Sequence, residues 1–123
     1  MTVVIHHNPG CGTSRTVLEL IHAAGEEPVV IEYLDTGWTR PQLLGLFAAA
    51  GLTPRTALRT KNSPASDLGL LEPDVDDEAL LDAMIAHPVL VNRPLVCTPK
   101  GVRLCRPPEI VSELLGNPDG TPA

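Results

Sequence analysis

The segment HHNPGCGTSR, residues 6–15, places a cysteine between a turn sequence and a helical pattern. Cys11 follows Asn-Pro-Gly and stands where the next helix would begin. The backbone N–H groups at a helix N-terminus are unpaired and the helix dipole is positive there, which favours a thiolate and a bound oxyanion. His7 and Arg15 are near in sequence, and a cation at either position would lower the pKa of the thiol further. The pattern therefore predicts that Cys11 is a nucleophile.

Two other roles for Cys11 stay open at this point. The first is that of a small buried core residue, although a turn flanked by glycines is a poor place to pack a core. The second is a metal site shared with His6 and His7, although neighbouring residues of a strand point to opposite faces. For Thr13 and Ser14, the alternatives are donation to a bound anion and ordinary helix capping.

Three arginines stand near the ends of predicted elements, and they become a candidate site if they converge. They are Arg59, Arg93 and Arg106. A guanidinium carries a planar fork of donors that suits a tetrahedral oxyanion. Arg106 is preferred to Arg103 because the two positions do not face the same way on an extended strand. Arg93 precedes Pro94, and an X-Pro bond in such a position is sometimes cis, which would hold this loop close to another active-site element.

Hydrophobic periodicity predicts the elements that position these residues. Short apolar runs ended by turn residues predict strands at 2–6, 28–33, 94–98 and 102–105. One helix follows the first strand, several short helices fill residues 39–86, and a final helix follows the last strand. The order βαβ, helical insertion, ββα predicts an α/β protein with a four-stranded mixed sheet in the thioredoxin-like arrangement. Residues 1–115 are predicted to form one domain, and residues 116–123 a flexible tail.

Within the predicted insertion, the helix boundaries follow from capping and breaking residues. Thr39 with Gln42 resembles a capping box at the start of one helix, and Asp76 caps the last helix of the run. Between them, a short helix is predicted from residue 53 to about residue 59, and one further helical turn is predicted to start at Ser63-Pro64.

The overall composition argues against several classes of partner and location. The 123 residues are 43% hydrophobic and carry a net charge of -6, with one Trp, one Tyr and one Phe. An acidic chain with so few stacking side chains argues against a nucleic-acid partner. No apolar run reaches the length of a membrane span and the N-terminus lacks a basic region, so we expect no membrane partner, no signal peptide and a cytoplasmic location. The three cysteines include no CxxC pair, and an odd number argues against a disulfide framework.

Four segments together resemble a known family. The segments HNPGCGTSR, ALRTKN, HPVLVNRPLV and RLCRPPE, in this order and spacing, resemble the glutaredoxin-coupled arsenate reductases of the thioredoxin-like ArsC family. The resemblance runs from about residue 3 to residue 115. Related members of other function commonly lack the late arginine of RLCRP, so this segment adds specificity.

The resemblance implies a function and a role for each matching residue. It implies an arsenate reductase, an oxidoreductase of arsenic resistance, in which Cys11 is the redox-active nucleophile that attacks arsenate. Arg59, Arg93 and Arg106 would bind the oxyanion and its arsenylated intermediates. His7 and Ser14 would help to hold the cysteine as a thiolate, and Pro94 matches the cis-proline beside the active site of this fold.

The electron source is expected to be an external thiol, because no other cysteine lies within one helical turn of Cys11. The family resemblance implies glutathione or another low-molecular-weight thiol as co-substrate and a glutaredoxin-like electron donor as partner. It implies no bound cofactor and no metal.

Alternatives to this function and to the external thiol stay open. Cys105 adjoins Arg106 and is either a resolving cysteine that forms an internal disulfide or a core residue of its strand, and Cys97 is predicted to be core. The chain could instead be an Spx-like transcriptional regulator of the same fold, although Ser14 replaces the second cysteine of the usual CxxC. The other alternative function is that of a thiol oxidoreductase that acts on another substrate.

Overall fold

The computed structural model describes residues 1–116, and the chain divides into two compact units. The first unit comprises residues 1–33 and the chain from residue 93 onward, and the second comprises residues 34–92. The second unit corresponds in sequence to the predicted helical insertion at residues 39–86. That residues 1–115 act as one domain stays a prediction, and beyond Gly116 the predicted tail lies outside the described residues.

The first unit is built on a mixed four-stranded sheet, as predicted. Its strands are β1 Val4–His7, β2 Val29–Glu32, β3 Leu95–Thr98 and β4 Gly101–Leu104, in the order β2-β1-β3-β4. β1 pairs in parallel with β2 and antiparallel with β3, which itself pairs antiparallel with β4. The predicted α/β class and mixed sheet are therefore confirmed.

One face of this sheet forms the core of the first unit. Helix α1, Gly12–Ala23, and a 3₁₀ helix at Pro108–Glu113 supply the residues that cover it. The buried side chains of this core cluster come from β1, α1, β3, the 3₁₀ helix and residues next to them: Val3, Ile5, Val17, Ile21, Val96, Cys105, Val111, Leu114 and Leu115. The cluster holds β1 and α1 together, and the segment between them carries Cys11.

The final helix differs from the sequence prediction, because it is a 3₁₀ helix. Its backbone N–H groups bond three residues back, as from Ile110 to the carbonyl of Pro107 and from Leu114 to that of Val111. Pro107 and Pro108 supply no N–H groups at its start, and the Ser112 hydroxyl donates to the carbonyl of Glu109 over 2.9 Å. These local bonds close a tighter helix than the apolar periodicity indicates.

The second unit contains most of the remaining helices. α2 spans Tyr33–Thr36, α3 spans Arg40–Ala50, α4 spans Asp77–Ala86, and a further 3₁₀ helix spans Pro88–Leu90. The predicted caps are present: Thr39 and Gln42 form a capping box on α3, and Asp76 accepts the N–H of Ala79 over 2.9 Å. α3 packs against α4.

The prediction of a short helix from residue 53 to about residue 59 is wrong, because these residues form a turn followed by an isolated bridge from Leu58 to Val91. The single helical turn predicted to start at Ser63-Pro64 is present, since the N–H of Leu68 donates to the carbonyl of Pro64 over 2.9 Å. Arg55 organises the segment: its guanidinium donates to the carbonyls of Leu70, Glu72 and Val75 over 3.1, 3.2 and 2.7 Å. Over residues 1–116, no helix is long and apolar enough to cross a membrane.

Candidate active site

Cys11 is the N-cap residue of α1, so its side chain stands where the helix begins. Its backbone is extended, with φ -102° and ψ 123°, and no side-chain oxygen caps this helix end. At an N-cap, a side-chain oxygen normally accepts hydrogen bonds from the N2 and N3 amides, which here belong to Thr13 and Ser14. The Cys11 side chain makes no capping hydrogen bond of its own, but the amides of Ser14 and Thr13 are near enough to lower the pKa of its thiol.

Ser14 connects this helix end to β1. Its side chain is fully buried, and its Oγ accepts the N–H of Asn8 over 3.1 Å and shares a 2.6 Å hydrogen bond with Nδ1 of His7. Burial lowers the pKa of His7, as does the charge of Arg15, whereas Glu32 raises it. The neutral imidazole is thus favoured, and His7 contacts the Ser14 hydroxyl rather than supplying a cation to Cys11.

Two arginines from distant parts of the chain meet Cys11. The Arg106 Nη1 lies 3.9 Å from the Cys11 Sγ, and the same nitrogen donates to the carbonyl of Arg93 over 3.1 Å. The antiparallel β3–β4 hairpin explains the meeting, because it brings the residue before β3 beside the residue after β4. The bonds Arg93–Pro94 and Arg106–Pro107 are both cis, the first as anticipated from the sequence.

These surroundings lower the pKa of the Cys11 thiol below its ordinary value. Burial opposes this by raising the pKa. The backbone N–H of Ser14, the charge of Arg93, the backbone N–H of Thr13 and the Arg106 side chain all lower it, and together they outweigh the burial. The ionised form of Cys11 is therefore favoured by the Arg106 guanidinium beside it and by the charge of Arg93, which is an arrangement suited to nucleophilic attack on an anion.

The comparisons with known proteins agree with this chemistry. Residues 6–114 match the ArsC family. The protein belongs to the ArsC family. It is 69% identical over 113 residues to the arsenate reductase ArsI2 of Synechocystis sp., covering 92% of this chain and 81% of that protein. It is 50% identical over 113 residues to the arsenate reductase of Escherichia coli strain K12, covering 92% and 80% of the two chains.

A solved structure supports the same assignment for the fold. The arsenate reductase from Vibrio cholerae matches this ArsC-family chain with a TM-score of 0.88 and 40% sequence identity, covering 94% of this chain and 98% of that one. The thioredoxin-like fold predicted from the order of strands and helices is thereby confirmed.

Arg59, which the sequence predicts as a site residue, and Arg103, which it does not, have different surroundings in this ArsC-family protein. Arg59 belongs to the second unit, where its Nε donates to the carbonyl of Lys61 over 2.9 Å and its backbone N–H donates to that of Leu90. Arg103 forms an exposed ion pair with Glu113. The preference for Arg106 over Arg103 beside Cys11 agrees with these positions.

The three cysteines all lie within the described chain, and none forms a disulfide. Cys105 is fully buried in the core cluster, and its Sγ lies 3.7 Å from the carbonyl of Arg103. Burial raises the pKa of Cys105 to about 12. A thiol held neutral in the core corresponds to the core-residue interpretation of Cys105. Cys97 is half-buried, so the prediction that it is core is only partly met.

Asn8 is a residue of the site that was not predicted from the sequence. This residue is 8% exposed, and its Oδ1 accepts the N–H of Gly10 over 2.9 Å. An asparagine that precedes Pro-Gly is typical of a turn in which the side chain bonds to the backbone two residues on. The sequence Asn-Pro-Gly therefore contained the signal for this side-chain bond. Arg15, considered as a cation for Cys11, instead donates to the carbonyl of Pro9 over 2.8 Å.

Proposed function

We propose that this ArsC-family protein is an arsenate reductase in which the Cys11 thiolate attacks arsenate. The observation that carries the proposal is the Cys11 sulfur at the first turn of α1 with the Arg106 guanidinium 3.9 Å away. The names of its close relatives support arsenate as the substrate. Arg93 and Arg106 are assigned to oxyanion binding from their positions beside Cys11. Arg59 is assigned from the sequence resemblance.

The chemistry requires cations at this sulfur. Thiolate and arsenate are both negative, so their approach is repulsive, and charge accumulates on the oxyanion as the sulfur–arsenic bond forms. Guanidinium groups offset this repulsion and can bind two oxygens of a tetrahedral anion at once. Helix N-terminal amides stabilise the thiolate in the same way before the attack. Ser14 and His7 are assigned to the support of this thiolate.

The electrons come from an external thiol in this proposal. Arsenic gains two electrons on reduction to arsenite, two thiol groups are oxidised to one disulfide, and one arsenate oxygen leaves as water. The burial of Cys105 supports an external donor, since a neutral core thiol is a poor nucleophile. We assign glutathione with a glutaredoxin-like protein as the donor from the sequence resemblance, and a cytoplasmic location stays a prediction.

The test is an arsenate reduction assay with a panel of thiol donors: glutathione with glutaredoxin, thioredoxin, and another low-molecular-weight thiol. The expected result is arsenite formation with at least one donor by the wild-type protein and none by Cys11→Ser. Turnover by a correctly folded Cys11→Ser variant would remove the proposed nucleophile. No reduction by the wild-type protein with any donor would favour the regulator or the thiol oxidoreductase with another substrate.

Cys105→Ser distinguishes the external donor from an internal disulfide. We expect this variant to keep its turnover with an external thiol, because the buried Cys105 thiol takes no part in the reaction. Its thermal unfolding should be measured beside the activity, because a hydroxyl placed in the core lowers stability. A large loss of turnover at a temperature where the variant is folded would favour the internal disulfide.

A further inference from the structure

Asn8 joins the turn that carries Cys11 to the start of α1. Three of its polar groups make hydrogen bonds within the segment. Its carbonyl accepts the N–H of Cys11 over 3.0 Å, its side-chain Oδ1 accepts the N–H of Gly10 over 2.9 Å, and its own N–H donates to the Ser14 hydroxyl over 3.1 Å. The residue is 8% exposed, so these bonds are made largely out of contact with water.

The bonds account for the conformation of Cys11. The N–H groups of Gly10 and Cys11 are both satisfied by Asn8, which closes the turn and leaves the Cys11 backbone extended at the helix end. The link from Asn8 to Ser14 then ties this turn to the N3 residue of α1. A Cβ added at Gly10 would lie 3.3 Å from the Asn8 Oδ1, so the turn is packed closely against the buried amide.

We propose that Asn8 is a positioning residue, which holds Cys11 in the N-cap geometry where its sulfur faces the amides of Thr13 and Ser14. The inference rests on the proposed role of Cys11 as the nucleophile. The asparagine side chain contributes the bond from the Gly10 N–H to Oδ1, and the main chain of the same residue contributes the bonds to Cys11 and the Ser14 hydroxyl, so Asn8 acts through the backbone of the turn. An asparagine in an ordinary turn would stabilise the fold without affecting the reactivity of a neighbouring thiol.

The test is to titrate the Cys11 thiolate in Asn8→Ala by its ultraviolet absorbance, with the Cys11→Ser protein subtracted. Removal of the amide takes away the acceptor of the Gly10 N–H, whereas the main-chain bonds of residue 8 to Cys11 and Ser14 stay. The turn before Cys11 therefore loosens, and the sulfur is held less closely against the N2 and N3 amides. The expected result is a thiolate fraction about tenfold lower than in the wild type below the wild-type pKa, which corresponds to one pKa unit. The ratio of variant to wild-type kcat/KM for arsenate should rise with pH as both proteins become fully ionised.

Two further variants separate positioning from stability. Thr39→Ala also removes an uncharged side chain that bonds to backbone, at the capping box of α3, and should lower the Tm without shifting the Cys11 titration. Asn8→Ser keeps a shorter acceptor for the Gly10 N–H, and its titration should lie between those of the wild type and Asn8→Ala. This variant also serves if Asn8→Ala does not fold.

The outcomes distinguish this inference from the proposed function. A lower Tm with an unshifted titration and a pH-independent activity ratio in the Asn8 variants would overturn the positioning role, whereas the role of Cys11 would stand. Full turnover by Cys11→Ser would remove the nucleophile itself, whatever the Asn8 variants show. A shifted titration in Asn8→Ala, intermediate in Asn8→Ser and absent in Thr39→Ala, supports the positioning role.

Discussion

Arg106 offers the most direct test of the electrostatics at Cys11. Its Nη1 lies 3.9 Å from the Cys11 sulfur. Two unit charges about 4 Å apart attract by about 1 kcal/mol in water and by about 4 kcal/mol at an effective dielectric constant of 20. The Arg106 side chain is exposed, so the attraction belongs to the lower part of that range, about 1–2 kcal/mol, or about one pKa unit.

Arg106→Gln is therefore expected to raise the pKa of the Cys11 thiol by about one unit. Below the wild-type pKa, the thiolate fraction falls about tenfold, and kcat/KM for arsenate falls further because the anion also loses a guanidinium. Arg106→Lys should restore much of the thiolate and less of the turnover, since an ammonium keeps the charge without the planar fork. Ultraviolet titration, with the absorbance of Cys11→Ser subtracted, measures the pKa of the Cys11 thiol. Steady-state kinetics measure kcat/KM for arsenate.

Arg103→Gln is the matched control for Arg106→Gln. It removes the same charge three residues away, from a side chain that pairs with Glu113 at the surface, and should leave the Cys11 titration unchanged. The difference in Cys11 pKa between Arg106→Gln and the wild type should be smaller at about 1 M salt than at about 0.1 M salt, because the Debye length falls from about 10 Å to about 3 Å. An unchanged Cys11 pKa in Arg106→Gln, or an equal shift in Arg103→Gln, would refute the electrostatic reasoning.

Two further predictions concern the stability of the fold. Burial lowers the pKa of His6 below its ordinary 6.5, against the hydrogen bond to the Leu95 carbonyl. The unfolded chain thus binds the proton first as the pH falls below about 6.5, and the free energy of unfolding decreases there. Urea unfolding should show a smaller decrease in His6→Gln than in the wild type, and an equal decrease would contradict the burial argument. Ile21→Ala should cost about 2–5 kcal/mol because Ile21 is fully buried, whereas Leu20→Ala, at a side chain 37% exposed, should cost about 0.5 kcal/mol or less. Equal costs for Ile21→Ala and Leu20→Ala in the same unfolding assay would contradict the core assignment.

Local patterns of sequence determined the elements and the place of the nucleophile. The run of β-branched residues before the Asn-Pro-Gly turn and the apolar periodicity after it placed Cys11 at the junction of β1 and α1. The capping box of Thr39 and Gln42 and the cap at Asp76 were equally readable. The helix and its caps depend on hydrogen bonds that span three or four residues, and β1 is recognised by its run of β-branched residues, so the residues that decide each feature stand together in the chain.

Only the tertiary structure decided which distant groups meet Cys11 and which cysteine is core. Arg106 and Cys11 are 95 residues apart, and their contact depends on the pairing of β3 with both β1 and β4. The burial of Cys105 depends on α1 and the last 3₁₀ helix covering its side of the sheet. In the segment 51–76, the Arg55 guanidinium donates to carbonyls up to 20 residues away, which no local pattern around residue 55 predicts. Such contacts form when the sheet and core close, and local propensity carries no information about partners so far along the chain.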